Sequence, residues 1–409
     1  NEYNSMANSL DQDVFTIEDN LTWNKGNHTL TFGTHNEFYK FSNLFIGNLF
    51  GSYYFSTPDD FFSYYNGFKA GQTGLGKYIN QYYFKEANVD VTGDPRWAAS
   101  FGAGQLGFYV QDKWDVSNSF QLTYGLRMDM PLFFDRPAEN APFNEWAAQN
   151  GYSYKTNQKL SSAPMWSPRV GFRWNLNNDY KFILRGGVGI FTGRIPFVWL
   201  SNSFSNTGIQ LSSYTARRSD QISLILDPNK QSENGQQLTA SSGSQLINVF
   251  DKDFKFSQNL RANLGVDFRL LGIDWTAEAI YSKTLNDVYY QNIAYTESGK
   301  TLADETGLYW DNRPMYERVT KGLPFNEIYV LKNTDKGYTY SLSLKADKSF
   351  AWGLDLSASY TFTQSKSISS ATSSQAQSNW RNTQTYRFSN SPELSYSAYN
   401  IPHMIKASA

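Results

Sequence analysis

The chain has 409 residues, with 36 basic and 37 acidic side chains and no cysteine, so it carries no basic footprint for nucleic acid, no disulfide and no thiolate metal site. Aromatic residues reach 17% although only 40% of residues are hydrophobic, an awkward pairing for a soluble core. No apolar run of about 18 residues occurs, which excludes a membrane-spanning helix but leaves room for strands with one apolar face.

Taken in order, residues 14–23 and 28–41 alternate apolar and polar side chains around Asn24-Lys25-Gly26-Asn27, and so predict a first β-hairpin. The second, 104–130, is the clearest. Around the turn Ser117-Asn118-Ser119 its runs are about twice the usual soluble strand length and match a tilted strand crossing a bilayer in about 9–11 residues. In its second run Phe120, Leu122, Tyr124, Leu126, Met128 and Met130 share one face, while Gln121, Thr123, Gly125, Arg127 and Asp129 share the other. Further hairpins are predicted at 169–191 around Asn177-Asn178-Asp179, at 260–285 through Leu271-Gly272-Ile273, and at 338–363 through Ala351-Trp352-Gly353. Residues 401–409 begin an eleventh strand. The links between hairpins are long: 42–103, 131–168, 192–259, 286–337 and 364–400.

Short turns alternating with long links are the pattern of outer-membrane barrels, whose turns face the periplasm and whose loops face outside. The expected fold is therefore all-β: one transmembrane antiparallel β-barrel domain over 1–409, with about 10–11 strands of a barrel of about 22. By this reading the chain is an internal piece of a longer protein. Asp19 and Asp112 fall in the apolar phase and are expected near the inner interface, or turned inward by a local bulge.

Candidate chemistry is sparse. His35 and Glu37 share a face at i,i+2, which suits a lumen-lining pair better than a metal site, and His28 and His403 stand alone. No cofactor or catalytic motif is read, so an enzyme is not expected. The lumen-phase charges Arg127, Asp129, Arg173, Arg185, Arg261 and Arg269 are expected to face a plug or one another. Gly186-Gly187-Val188-Gly189 lets another backbone approach the wall or allows a bend. Loop aromatics Tyr64, Tyr65, Trp199, Tyr309 and Trp310 are candidate ligand contacts, with packed loop cores as the plainer alternative. Thr57-Pro58-Asp59-Asp60 reads as a capped helix start.

Several phrases together carry a family resemblance. Gly107-Phe108-Tyr109-Val110-Gln111-Asp112-Lys113-Trp114, followed by Leu122-Thr123-Tyr124-Gly125-Leu126-Arg127-Met128-Asp129, resembles the barrel of TonB-dependent receptors. Pro168-Arg169-Val170-Gly171-Phe172, the stretch Leu184 to Pro196, Asn263-Leu264-Gly265-Val266-Asp267 and Tyr281-Ser282-Lys283-Thr284-Leu285-Asn286-Asp287 resemble the Oar-like, carboxypeptidase-regulatory-domain group of Bacteroidota. The resemblance implies an active transporter in the outer membrane of a Gram-negative bacterium, importing a bulky ligand captured by extracellular loops. Its implied partners are membrane lipid, its own plug and remaining strands, TonB with ExbB and ExbD, and a surface lipoprotein or other outer-membrane protein. The alternative is a structural or interaction barrel, an adhesin or a subunit of a larger assembly that retains the receptor wall.

Overall fold

The computed structural model describes residues 6–176, 181–194, 196–238 and 245–409. Among them, ten long strands and a shorter last one form one continuous antiparallel wall in chain order. They are β1 (Asn8–Lys25), β2 (His28–Phe45), β3 (Ala99–Asp115), β4 (Phe120–Phe133), β5 (Met165–Asn175), β6 (Phe182–Thr192), β7 (Gln258–Leu270), β8 (Ile273–Asn292), β9 (Gly337–Ser349), β10 (Asp355–Ser367) and β11 (His403–Ser408). Each pairs with its sequence neighbours. The wall runs from β1 to β11 without closing on itself. Among the described residues no helix is long and apolar enough to cross a membrane.

Directly paired residues point to the same face of a sheet, so the register sorts side chains into rows. One row runs Leu30, Asp112, Tyr124, Val170, Val188, Ala262, Tyr281 and Tyr340 from β2 to β9. Its neighbour, one residue along, runs Thr31, Gln111, Gly125, Arg169, Gly189, Arg261, Ser282 and Thr339. The apolar phase of every strand thus lies on one face and the polar phase on the other. Leu342, Leu344, Leu356 and Tyr360 stand exposed on the apolar face, as a surface solvated by lipid requires.

The turns at one end are tight. Gly26 and Asn27 alone join β1 to β2, with Gly26 at φ 58°. Leu271 and Gly272, at φ 56° and 69°, join β7 to β8 as a two-residue turn; the three-residue turn expected there is one residue too long, because Ile273 already pairs with Leu270. The expected turn Asn177-Asn178-Asp179 lies outside the described residues. Near this end aromatic side chains cluster on the apolar face, including Trp114, Phe120, Trp174, Phe268 and Trp275. Such a belt marks a membrane interface.

Asp112 stays in the outward row, since the β2–β3 and β3–β4 registers run without a shift. It is only 4% exposed: Tyr124 donates its hydroxyl to Oδ2 at 2.8 Å, and His28 Nδ1 lies 2.7 Å from the same oxygen. His28 is therefore not alone, and neither is His403, whose Nδ1 lies 2.8 Å from the Tyr360 hydroxyl.

Candidate functional site

At the other end the long links fold on one another. Thr57 caps a helix α1 (Pro58–Lys69) by accepting the Asp60 amide at 3.1 Å, with Pro58 in the first turn where its missing N–H costs nothing. The inner side of α1 buries Tyr64 at 2% exposure, and Tyr64 packs with Leu75, Ile79, Tyr82, Phe84 and Ile222. This core joins two loops. Gln81–Ala87 from the first pairs with Ser52–Tyr54 and with Leu211–Ala216 from the third. Burial pushes the Tyr82 hydroxyl far above the ordinary tyrosine range and draws the Lys85 ammonium below the ordinary lysine range.

A second core joins the second, third and fourth loops. Phe143 and Ala147, on helix α2 (Ala141–Gln149), pack against Ile247, Val249, Ile293, Phe325, Ile328 and Val330. Gln245–Phe250 lies parallel to Phe325–Thr334, which pairs antiparallel with the outer end of β8. Because β8 continues past its wall partners to Asn292, it carries this loop sheet upward from the barrel.

The third core covers the loop-side end of the polar-phase face. Tyr39, Phe41, Phe101, Ala103 and Phe133 lie on the polar-phase face of β2, β3 and β4, and they pack against Phe197 and Leu200 of helix α3 (Phe197–Ser205) and against Phe250, Phe254 and Phe256. The polar phase is thus aqueous only along the turn-side part of the wall. Toward the loops it turns aromatic, because folded loop residues rather than water cover it.

Below this core the lumen face carries charge in pairs. Arg127 holds Asp129 through Nε at 3.0 and 2.9 Å and Nη2 at 2.7 Å, and Asp129 is 3% exposed. Arg185 bridges Asp267 at 3.2 Å and Glu278 at 2.8 Å. Arg269 lies 3.6 Å from Asp274 at the turn end. Arg173, opposite Gln121 and Arg185, is likewise engaged, and Arg261 stands opposite Gly189 and Ser282. Glycines make room for these long side chains. A Cβ at Gly265 would stand 2.9 Å from the Arg185 guanidinium carbon, and one at Gly107 would overlap Arg127. His35 lies 3.2 Å from Glu18 and 3.6 Å from Glu37, while Arg194 meets Glu37 at 2.7 Å. That network joins the Arg194–Glu37 ion pair to the His35 ring and Glu18, and among the described residues no metal-binding cluster is present.

Of the five candidate loop aromatics, Tyr64 and Trp199 belong to packed interiors. The Tyr64 hydroxyl accepts the Leu224 amide at 2.6 Å, and Trp199 Nε1 donates to the Ser373 carbonyl at 2.8 Å. Tyr65, Tyr309 and Trp310 stand outside, with Tyr309 88% exposed at the tip of a loop hairpin made by Tyr295–Thr301 and Pro314–Arg318. Phe61, Phe62 and Phe68 join Tyr65 on the outer face of α1. Their spacing at i, i+1, i+4 and i+7 could have signalled a shared face.

The whole chain, residues 1–409, matches a family model described as an outer membrane beta barrel domain. No curated protein matches it. Among solved structures, the outer membrane transporter YddB from Escherichia coli is similar with a TM-score of 0.47 and 13% identity, over 98% of this chain and 40% of that one. A mutant of the ferric enterobactin receptor from Pseudomonas aeruginosa, in complex with enterobactin, is similar with a TM-score of 0.43 and 13% identity, over 87% and 36% of the two chains. The siderophore receptor PirA from Acinetobacter baumannii gives 0.41 and 13%, over 97% and 47%. This chain spans less than half the length of each of these three proteins.

Proposed function

The chain belongs to the outer membrane beta barrel domain family, and from that premise we propose that it forms about half the wall of a TonB-dependent active transporter whose extracellular loops capture a bulky ligand. The observation that carries the reading is the canopy: long links from one end of the wall share three packed cores there and still display Tyr65, Tyr309 and Trp310. A passive pore has little use for such a cover, whereas a receptor needs a surface rigid enough to select a ligand and a closed path beneath it. The resemblance of 104–130, 168–196 and 260–292 to receptor barrels supports the same reading and points to the Oar-like group of Bacteroidota.

On this proposal the lumen charges Arg127, Asp129, Arg173, Arg185, Arg261 and Arg269 line the seat of a plug, and TonB with ExbB and ExbD supplies the energy. A surface lipoprotein is a candidate partner for the exposed loop aromatics. The test is nutrient uptake by a strain lacking the gene, complemented by the full-length protein. The expected result is loss of uptake of one nutrient class, restored only in cells that retain TonB. Unchanged uptake of every class tested would overturn the proposal and favour an adhesin or assembly subunit.

A further inference from the structure

On the outward face at the short-turn end, we infer a binding site for one glycerophospholipid whose headgroup carries a hydrogen-bond donor. Trp23, Lys25, Asn27, His28, Leu30 and Trp114 line a pocket beside the Gly26-Asn27 turn. Register places Lys25 opposite His28, Trp23 opposite Leu30, and His28 opposite Trp114, so these side chains share the face that meets lipid. The pocket therefore sits where the aromatic belt meets the turn, at the depth of lipid headgroups.

Two polar groups are fixed there in different ways. Lys25 extends over the Trp23 ring, its Nζ 5.4 Å from the centroid, and has no carboxylate partner among the described residues. The His28 ring stacks on Trp114 with centroids 5.2 Å apart and planes 16° from parallel, while its Nδ1 lies 2.7 Å from Asp112 Oδ2. A carboxylate only accepts, so Nδ1–H donates to Asp112; in the neutral ring Nε2 is then an acceptor, with no partner among the described residues. Asp112 is buried, its second oxygen Oδ1 also has no partner among the described residues, and its hold on His28 sets the imidazole's orientation.

A cation and a hydrogen-bond acceptor, side by side with tryptophan and leucine walls that continue into the hydrocarbon face, match one chemistry. The phosphodiester pairs with Lys25, an ammonium or hydroxyl of the headgroup donates to His28 Nε2, and the acyl chains run along Leu30. Ethanolamine and glycerol headgroups supply that donor, but a choline headgroup does not. Because the short turns face the periplasmic leaflet in the family arrangement, the occupant is a phospholipid rather than a lipopolysaccharide.

The test is native mass spectrometry of the full-length, delipidated protein in detergent, titrated separately with dioleoyl phosphatidylethanolamine, dioleoyl phosphatidylcholine and inorganic phosphate. The wild type is expected to retain one phosphatidylethanolamine in preference to phosphatidylcholine, and inorganic phosphate is expected to leave it in place. Lys25→Gln should weaken retention of both lipids about fivefold, since one exposed ammonium–phosphodiester pair contributes up to about 1 kcal/mol. His28→Phe keeps the ring stack and should abolish the preference between headgroups, while Lys113→Gln, on the opposite face, should change nothing. Should His28→Phe fail to fold, the exposed Lys25 variant still decides the matter. Equal retention of the two lipids by the wild type, retention unaffected by Lys25→Gln, or displacement by inorganic phosphate would each overturn the site.

Discussion

Replacing Leu344 with arginine asks which face of the wall meets hydrocarbon. Leu344 lies midway along β9, opposite Ala277 on β8 and Tyr360 on β10, and is exposed in the outward row. A guanidinium there meets Leu342, Ala277 and Tyr360 rather than a carboxylate, and the expected cost near the bilayer midplane is about 2–4 kcal/mol. That corresponds to a drop of roughly 30- to 1000-fold in the folding equilibrium. The adjacent Ser343→Arg reverses the situation. Ser343 faces the lumen opposite Glu278 and Thr361, so the variant loses a hydroxyl contact at 3.1 Å, worth about 1 kcal/mol, and gains a carboxylate neighbour. Its net cost should stay below about 1 kcal/mol. Urea unfolding of the full-length protein in lipid vesicles, followed by tryptophan fluorescence and heat-dependent gel mobility, measures both. Equal costs, or a larger cost for Ser343→Arg, would refute the assignment of faces on which the transmembrane reading stands.

Arg185→Ala removes one cation from between Asp267 and Glu278; with Arg185 about a third exposed, the expected loss is about 1–2 kcal/mol, well short of a fully buried pair, and should shrink in 1 M salt in the same unfolding assay. Phe143→Ala empties a fully buried site between Trp146 and Phe325 and should cost about 3–5 kcal/mol of loop docking, seen as faster proteolysis within 134–164 while the barrel unfolds at an unchanged urea concentration. The Arg313 guanidinium holds the Asp311 carboxyl below the ordinary aspartate range, so this contact is complete above about pH 4 and is lost as pH falls through the lowered value. Hydrogen exchange at the tip around Trp310, corrected for the intrinsic pH dependence of amide exchange, should therefore lose protection only below about pH 4, whereas Arg313→Ala should lower that protection at neutral pH as well. Tyr309→Ala with Trp310→Ala should leave unfolding within about 0.5 kcal/mol of the wild type while reducing cargo uptake in the complementation assay.

The wall was legible in the sequence because a membrane strand writes its environment into alternate positions, and side chains along one strand suffice to read it. Leu342 and Ser343 differ in phase whatever lies beside them. The canopy was not legible, for its contacts join segments that carry no mark of one another. Gln245–Phe250 finds its parallel partner Phe325–Thr334 in another loop, and nothing in either strand specifies the pairing. Likewise Tyr64 and Tyr65 are adjacent aromatics with equal propensities, and only the folded α1 decides that one is core and the other surface. Asp112 looked like a misplaced charge within its own strand. Its hydrogen-bond partners, Tyr124 and His28, come from the two strands flanking it.

Along part of the inner face, the surface contour is set by residues that have no side chain. Arg127 lies flat where Gly107 leaves space, and Arg185 where Gly265 does. Substituting either glycine would force the guanidinium lying over it to shift. The contour of the inner face can then change by point mutation, with strand number and register both held constant.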